Sequence, residues 1–175
     1  MTSSEQDIRF LKEAAEQLQE YLLSNELYWP LSGSLPRLTP GALLLVLARV
    51  GIMVPSEGQK FGAQVETIRV KWRVAWEKKV AREITNRTRL WSQFLSDYIN
   101  APDQNQESYR SEARGRTILQ LLLADLSEWG ASEIAALAEL DGVLKSRLIP
   151  CDFLWEHELQ TAFPKSDYWF LYGNL

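Results

Sequence analysis

Acid–base, nucleophilic and metal chemistry rests on a short list of side chains, and this sequence is poor in them. His157 is the only histidine and Cys151 the only cysteine. A multi-histidine metal site is therefore excluded, and so is a Glu-x-x-His pair, because residue 154 is Leu. Cys151 and His157 could form a nucleophile pair, but six residues apart on one helix they point about 120° from each other. No glycine-rich strand-to-helix turn is present to cradle a phosphate. Glu13, Glu16 and Glu20 recur at helical spacing, yet a carboxylate stripe holds metal only with ligands from facing helices. It reads instead as a solvated face. No catalytic residue, metal ligand or cofactor is expected.

Charge supplies the stronger signal. The 175-residue chain carries a net −4, but eight basic and two acidic residues fall between Arg69 and Arg89, a local +6. Lys71, Lys78, Arg82 and Arg89 share one side of a helical projection and would span about 27 Å. Such a stripe suits an acidic protein surface or a phosphate backbone; it is otherwise solvated, or packed against the −6 C-terminal region of this chain or of a second copy. Arg69, Arg73 and Arg87 differ because they project into the apolar sector. A buried guanidinium needs a partner. It is either paired with an acid such as Asp125 or Glu128, or it anchors an anionic ligand in a Trp/Arg pocket.

The elements that must position these residues follow from apolar period and proline placement. Residues 4–24 read as a helix, with Ile8, Leu11, Ala15, Leu18 and Leu22 on one face and Ser3 or Ser4 as cap. Residues 27–38 read as a loop whose Tyr28-Trp29 pair docks on the body. Thr39-Pro40 looks like an N-cap followed by proline at the first helical position, starting an apolar, central helix over residues 41–50. Gly51, Pro55, Gly58 and Gly62 suggest a turn. From Ala63 to Asn100 there is no Gly or Pro, and Val65, Trp72, Trp76, Val80, Ile84, Trp91, Phe94 and Tyr98 form one sector. A rival reading places a small β-hairpin around residues 50–75, because Ile68, Val70, Trp72, Val74 and Trp76 alternate at period two. Asp103 is a candidate cap for a helix reaching Trp129, with Leu119, Leu122, Leu126 and Trp129 on one face and Gly130 as its stop. Ser132 is a candidate cap for a helix over residues 133–148, and residues 152–162 suggest a short sixth one.

Residues 133–149, EIAALAELDGVLKSRLI, resemble a DNA-binding helix-turn-helix. Ala135 matches the small residue of its first helix, Leu140 the apolar residue after the turn, and Leu148-Ile149 its apolar end. The resemblance implies duplex recognition through Lys145 and Arg147. Asp125 to Asp167 carries −6, which repels phosphate.

One cysteine fits a reducing compartment, and a polar N-terminus lacks the apolar core of a signal peptide. The most apolar run, Ala42 to Val54, is too short to span a bilayer. The sequence thus predicts an all-α, single-domain bundle of five or six helices with one long central helix, cytoplasmic and without a membrane partner. The leading functional expectation is a non-catalytic interaction or regulatory protein whose partner is a macromolecule. A nucleic-acid-binding regulator is the alternative, and a protein or enzyme taking a small anionic ligand is the third.

Overall fold

Pro40, Pro55 and Pro102 each stand in the first turn of a helix, where the missing N–H has no partner to lose. The computed structural model describes residues 3–126 and 131–175. Glu128, Trp129 and Gly130, which the sequence reading placed at a helix end, lie outside the described residues. The contacts divide into two units, one up to Glu83 and one from Ile84 onward. The fold is all-α apart from one two-residue ribbon, as the periodicity predicts.

The first unit holds α1 (Ser3–Leu23), α2 (Pro40–Met53), α3 (Pro55–Lys71) and the start of α4 (Arg73–Asn100). α1 buries Phe10, Leu11, Ala14, Leu18, Tyr21 and Leu22 at spacings of three and four, the stripe that packs one side of a helix. It already begins at Ser3, so Ser4 lies inside the first turn. α2 starts as expected: the Thr39 side chain accepts from the Ala42 N–H at 3.0 Å, and Pro40 follows. Leu43, Leu45, Val46 and Val50 of α2 are buried, which makes it the apolar centre of this unit.

In the glycine-rich segment after Val50 the turn is confined to Val54. α2 continues to Met53 and α3 begins at Pro55, leaving Val54 alone between them. Gly58 instead permits close approach. A Cβ there would lie 2.6 Å from the Gly51 Cα, inside any allowed contact. The glycine signal belonged to a helix–helix crossing, which sequence spacing does not separate from a turn.

The loop over residues 27–38 docks as expected. Trp29 and Leu38 form an antiparallel bridge, with N···O distances of 3.1 and 2.8 Å. The Trp29 indole N–H donates to Gln17 Oε1 at 2.8 Å, and its ring meets Tyr21 edge-on at 6.3 Å. Glu13 accepts from the Ser32 N–H at 3.0 Å and the Ser32 hydroxyl at 2.6 Å, and Gly33 beside it takes a φ of +64°. These bonds from Ser32, aided by Arg9, hold the Glu13 carboxyl below its ordinary pKa. This one member of the acidic stripe is a loop anchor.

The β-hairpin around residues 50–75 does not form. Those residues are helical apart from the short joints at Val54 and Trp72. A lone hairpin has too little apolar surface to hold itself, and no other strand segment is available to extend it. The alternation marks something else. Trp72, with φ −114° and ψ 36°, leaves helical geometry, although its N–H still bonds Ile68 O at 2.9 Å and its O still receives the Trp76 N–H at 3.0 Å. The long helix predicted from residue 63 is thus two helices joined at Trp72.

The second unit takes the remainder of α4, then α5 (Pro102–Asn105), a 3-10 turn over Gln106–Ser108, α6 (Tyr109–Asp125) and α7 (Ala131–Lys145). Asp103 lies within α5, whose N-cap is Ala101, so it caps nothing further on. Trp91 stacks on Phe94 at 5.5 Å and Phe94 meets Tyr109 at 6.4 Å. The buried Tyr109 hydroxyl donates to Phe170 O at 2.6 Å, fastening the aromatic tail to α6. The Arg116 guanidinium, 2% exposed, bonds both Asp141 oxygens at 3.1 and 2.9 Å and lies over the Phe170 ring. That buried pair ties α6 to α7, and its charges are hydrogen-bonded as burial requires.

The helix-turn-helix is overturned, because Glu133 to Lys145 runs as one helix with no turn near Glu139. Ser132 is inside that helix and its hydroxyl bonds the Glu133 carboxylate at 2.8 Å rather than capping. The sixth helix over residues 152–162 shrinks to a 3-10 segment, His157–Thr161. Phe153, Trp155, Phe163 and Tyr172 pack ring against ring along this stretch, fixing the chain by side-chain contacts without a regular helix. β1 (Ile149–Pro150) pairs antiparallel with β2 (Gly173–Asn174), Ile149 opposite Asn174.

Candidate interaction surface

The basic block between Arg69 and Arg89 divides by burial. Lys71, Lys78, Arg82 and Arg89 are exposed, so the amphipathic reading of this stretch holds. On the opposite side Val65, Trp76, Val80, Ile84, Trp91 and Phe94 are buried, while Trp72 and Tyr98 are half-buried. The four cations are not on one continuous helix, however. Lys71 ends α3, and the other three lie on α4 beyond Trp72. Arg89 falls in the second unit, where its guanidinium donates to Asn86 Oδ1 at 3.1 Å. The first unit therefore presents Lys71, Lys78 and Arg82 as a group.

Within that group the environments differ. The Lys71 ammonium sits 5.6 Å from the Trp72 ring centre. Arg82 donates to the Asn25 backbone oxygen at 3.0 Å. Lys78 projects into solvent.

Two apolar side chains complete the face, and the sequence reading missed them. Val70 and Val74, on either side of the Trp72 joint, are 68% and 66% exposed although both are apolar and β-branched. Both belong to the alternation of residues 68–76, which also supports the rival strand reading. They flank the Trp72 joint, with Lys71, Arg73 and Lys78 within four residues of one or the other.

Arg69, Arg73 and Arg87 have different surroundings. Arg69 pairs with Glu66 at 3.3 Å and lies 4.6 Å from the Trp76 ring centre. Arg73 is exposed and pairs with Glu77 at 2.8 Å, which raises its pKa. Arg87 is half-buried. The partners of Arg69 and Arg73 are neighbours on their own helices, where i,i+3 and i,i+4 spacing brings opposite charges together. Of the acids the sequence offered as partners, Glu128 lies outside the described residues.

Two other charged residues in the block turn inward. Lys79 is 3% exposed, and its ammonium donates to Ser24 O at 3.0 Å, to the Ser24 hydroxyl and to Glu26 O. It also lies 4.4 Å from the Tyr21 ring centre. Burial lowers its pKa, and Arg82 adds to the effect. Glu83 is fully buried, accepting from the Thr39 hydroxyl at 2.7 Å and the Gly41 N–H at 2.8 Å. A carboxylate at the N-terminus of α2 satisfies free N–H groups and the helix dipole together. Lys79 does the converse just past the end of α1. The two inward charges tie α4 to the ends of α1 and α2, and that sets which side of α4 faces solvent.

Two grooves open on the first unit. One, of about 520 Å³, runs past Lys12, Ala15, Glu16, Lys60, Phe61 and Ile68. The other, of about 460 Å³, lies among Gln17, Glu26, Tyr28, Trp29, Pro30 and Arg37. Among the described residues no group of three His, Cys, Asp or Glu side chains is placed to hold a metal ion. Cys151 is exposed and its thiol pKa is raised, by burial first and then by Asp152, which disfavours the thiolate a nucleophile needs. Among the described residues no helix is long and apolar enough to cross a membrane.

Comparison with known proteins adds no relative: no family model, no curated protein and no solved structure matches the chain.

Proposed function

We propose that the protein is a non-catalytic interaction or regulatory module that binds another protein through the outward face of α3 and α4 in the first unit. The observation that carries this reading is the pair Val70 and Val74, each about two-thirds exposed, beside the unburied cations Lys71, Lys78 and Arg82. Burying two valines against a partner releases roughly 1.5–3 kcal/mol each, while the cations set orientation and favour an acidic partner. A phosphate backbone uses the cations but has no use for the valines, so a protein partner fits the face better than a nucleic acid. The single exposed thiol fits a cytoplasmic setting.

The test is capture from a cell extract by the wild-type chain, by Lys78→Glu/Arg82→Glu and by Val70→Ser/Val74→Ser. Each variant is expected to lose the same captured proteins, and nuclease treatment is expected to leave them bound. Unchanged capture by both variants contradicts the reading. Loss only on charge reversal together with nuclease sensitivity supports the nucleic-acid alternative instead.

A further inference from the structure

We propose that the partner filling this face is a second copy of the chain, docked through the outward side of α1. The proposal rests on the reading of the α3–α4 face as an interaction surface and names its occupant. The two surfaces complement each other in charge and in apolar area.

The outward side of α1 carries Glu16 and Glu20, both exposed, and Leu23, which is 56% exposed. Neither Glu16 nor Glu20 enters an ion pair among the described residues, unlike Glu13, which anchors Ser32. Lys78 has no carboxylate partner there either. Glu16 and Glu20 are one helical turn apart, as are Lys78 and Arg82, so each pair spans about 6 Å along its helix.

Set antiparallel, α1 of one copy and α4 of another bring Glu16 to Arg82 and Glu20 to Lys78. The next positions along are Leu23 and Val74. The two opposite-charge contacts share one register, and Leu23 lies one residue from the position opposite Val74, near enough for an apolar contact at the edge of the charged pairs. Both surfaces belong to the first unit and stay exposed; Arg82 spends one donor on the Asn25 backbone oxygen and has no carboxylate partner among the described residues. A surface that meets a different surface on its copy makes a heterologous contact, which closes into a ring or extends. Charged rims make such a contact strongly dependent on salt.

Sedimentation velocity of the full chain tests this. At about 100 µM protein and about 50 mM salt the chain is expected to form dimers or larger species, and raising salt to about 500 mM is expected to weaken the assembly about tenfold. Glu16→Lys/Glu20→Lys and Lys78→Glu/Arg82→Glu are each expected to stay monomeric alone. An equimolar mixture of the two variants is expected to reassemble, as is a chain carrying all four substitutions. All four positions are exposed, and circular dichroism checks that each variant keeps its helix content. A monomeric wild type at low salt overturns the proposal, as does a mixture that stays monomeric. If the wild type is monomeric yet charge reversal still abolishes capture from extract, the self-docking is wrong and the interaction surface stands.

Discussion

Glu83 is the residue whose placement most affects the first unit. Its carboxylate is fully buried and takes two hydrogen bonds from the start of α2. Removing it strands the Thr39 hydroxyl and the Gly41 N–H in an interior that water does not reach. Glu83→Ala is therefore expected to lower stability by about 2–4 kcal/mol, and Glu83→Gln by less because an amide oxygen still accepts one bond. Urea denaturation followed by circular dichroism measures both, and a change under about 0.5 kcal/mol for Glu83→Ala contradicts the assigned role. Glu83 and Lys79 also show where residue-level reading stops. Both sit in a block counted as basic and solvated, and composition assigns them to its surface. Only the positions of Thr39, Ser24 and Glu26, some forty to sixty residues earlier, reveal that they are inward. Hydrogen bonds across that distance leave no periodic trace.

At the scale of elements, the crossing of α2 and α3 depends on a pair of glycines with unequal roles. A Cβ on Gly58 meets Gly51 backbone at 2.6 and 2.9 Å, whereas a Cβ on Gly51 has nothing within 4 Å. Gly58→Ala is expected to force the helices apart and cost about 1–3 kcal/mol, while Gly51→Ala is expected to be neutral or stabilising by up to about 1 kcal/mol. Thermal melts of the two variants separate these outcomes, and equal melting temperatures contradict the close crossing. Helices with strong local signals were legible in the sequence. Thr39-Pro40 fixed the start of α2, and the Trp face of α4 was readable from spacing alone. The ambiguities share one cause. Gly51 to Gly62, Ile68 to Trp76 and Glu133 to Ile149 each carry a local pattern that fits two structures, and tertiary packing made the choice. The C-terminal segment from Asp152 followed the same rule, since ring packing rather than helix propensity holds it.

For the whole molecule, the charge asymmetry was legible and its meaning was not. The sequence locates an excess of positive charge between Arg69 and Arg89 but treats four cations as one stripe. Three of them, Lys71, Lys78 and Arg82, belong to the first unit and Arg89 to the second. What gives the first three a use is the exposed Val70 and Val74 beside them. The most direct measurement is a photoreactive amino acid placed at position 74, irradiated in cell extract, with the same residue at Lys165 of the second unit as control. The account predicts a covalent adduct from position 74 that Lys78→Glu/Arg82→Glu abolishes and that the control does not form. No adduct from position 74, or an equal adduct in the charge-reversed chain, contradicts it.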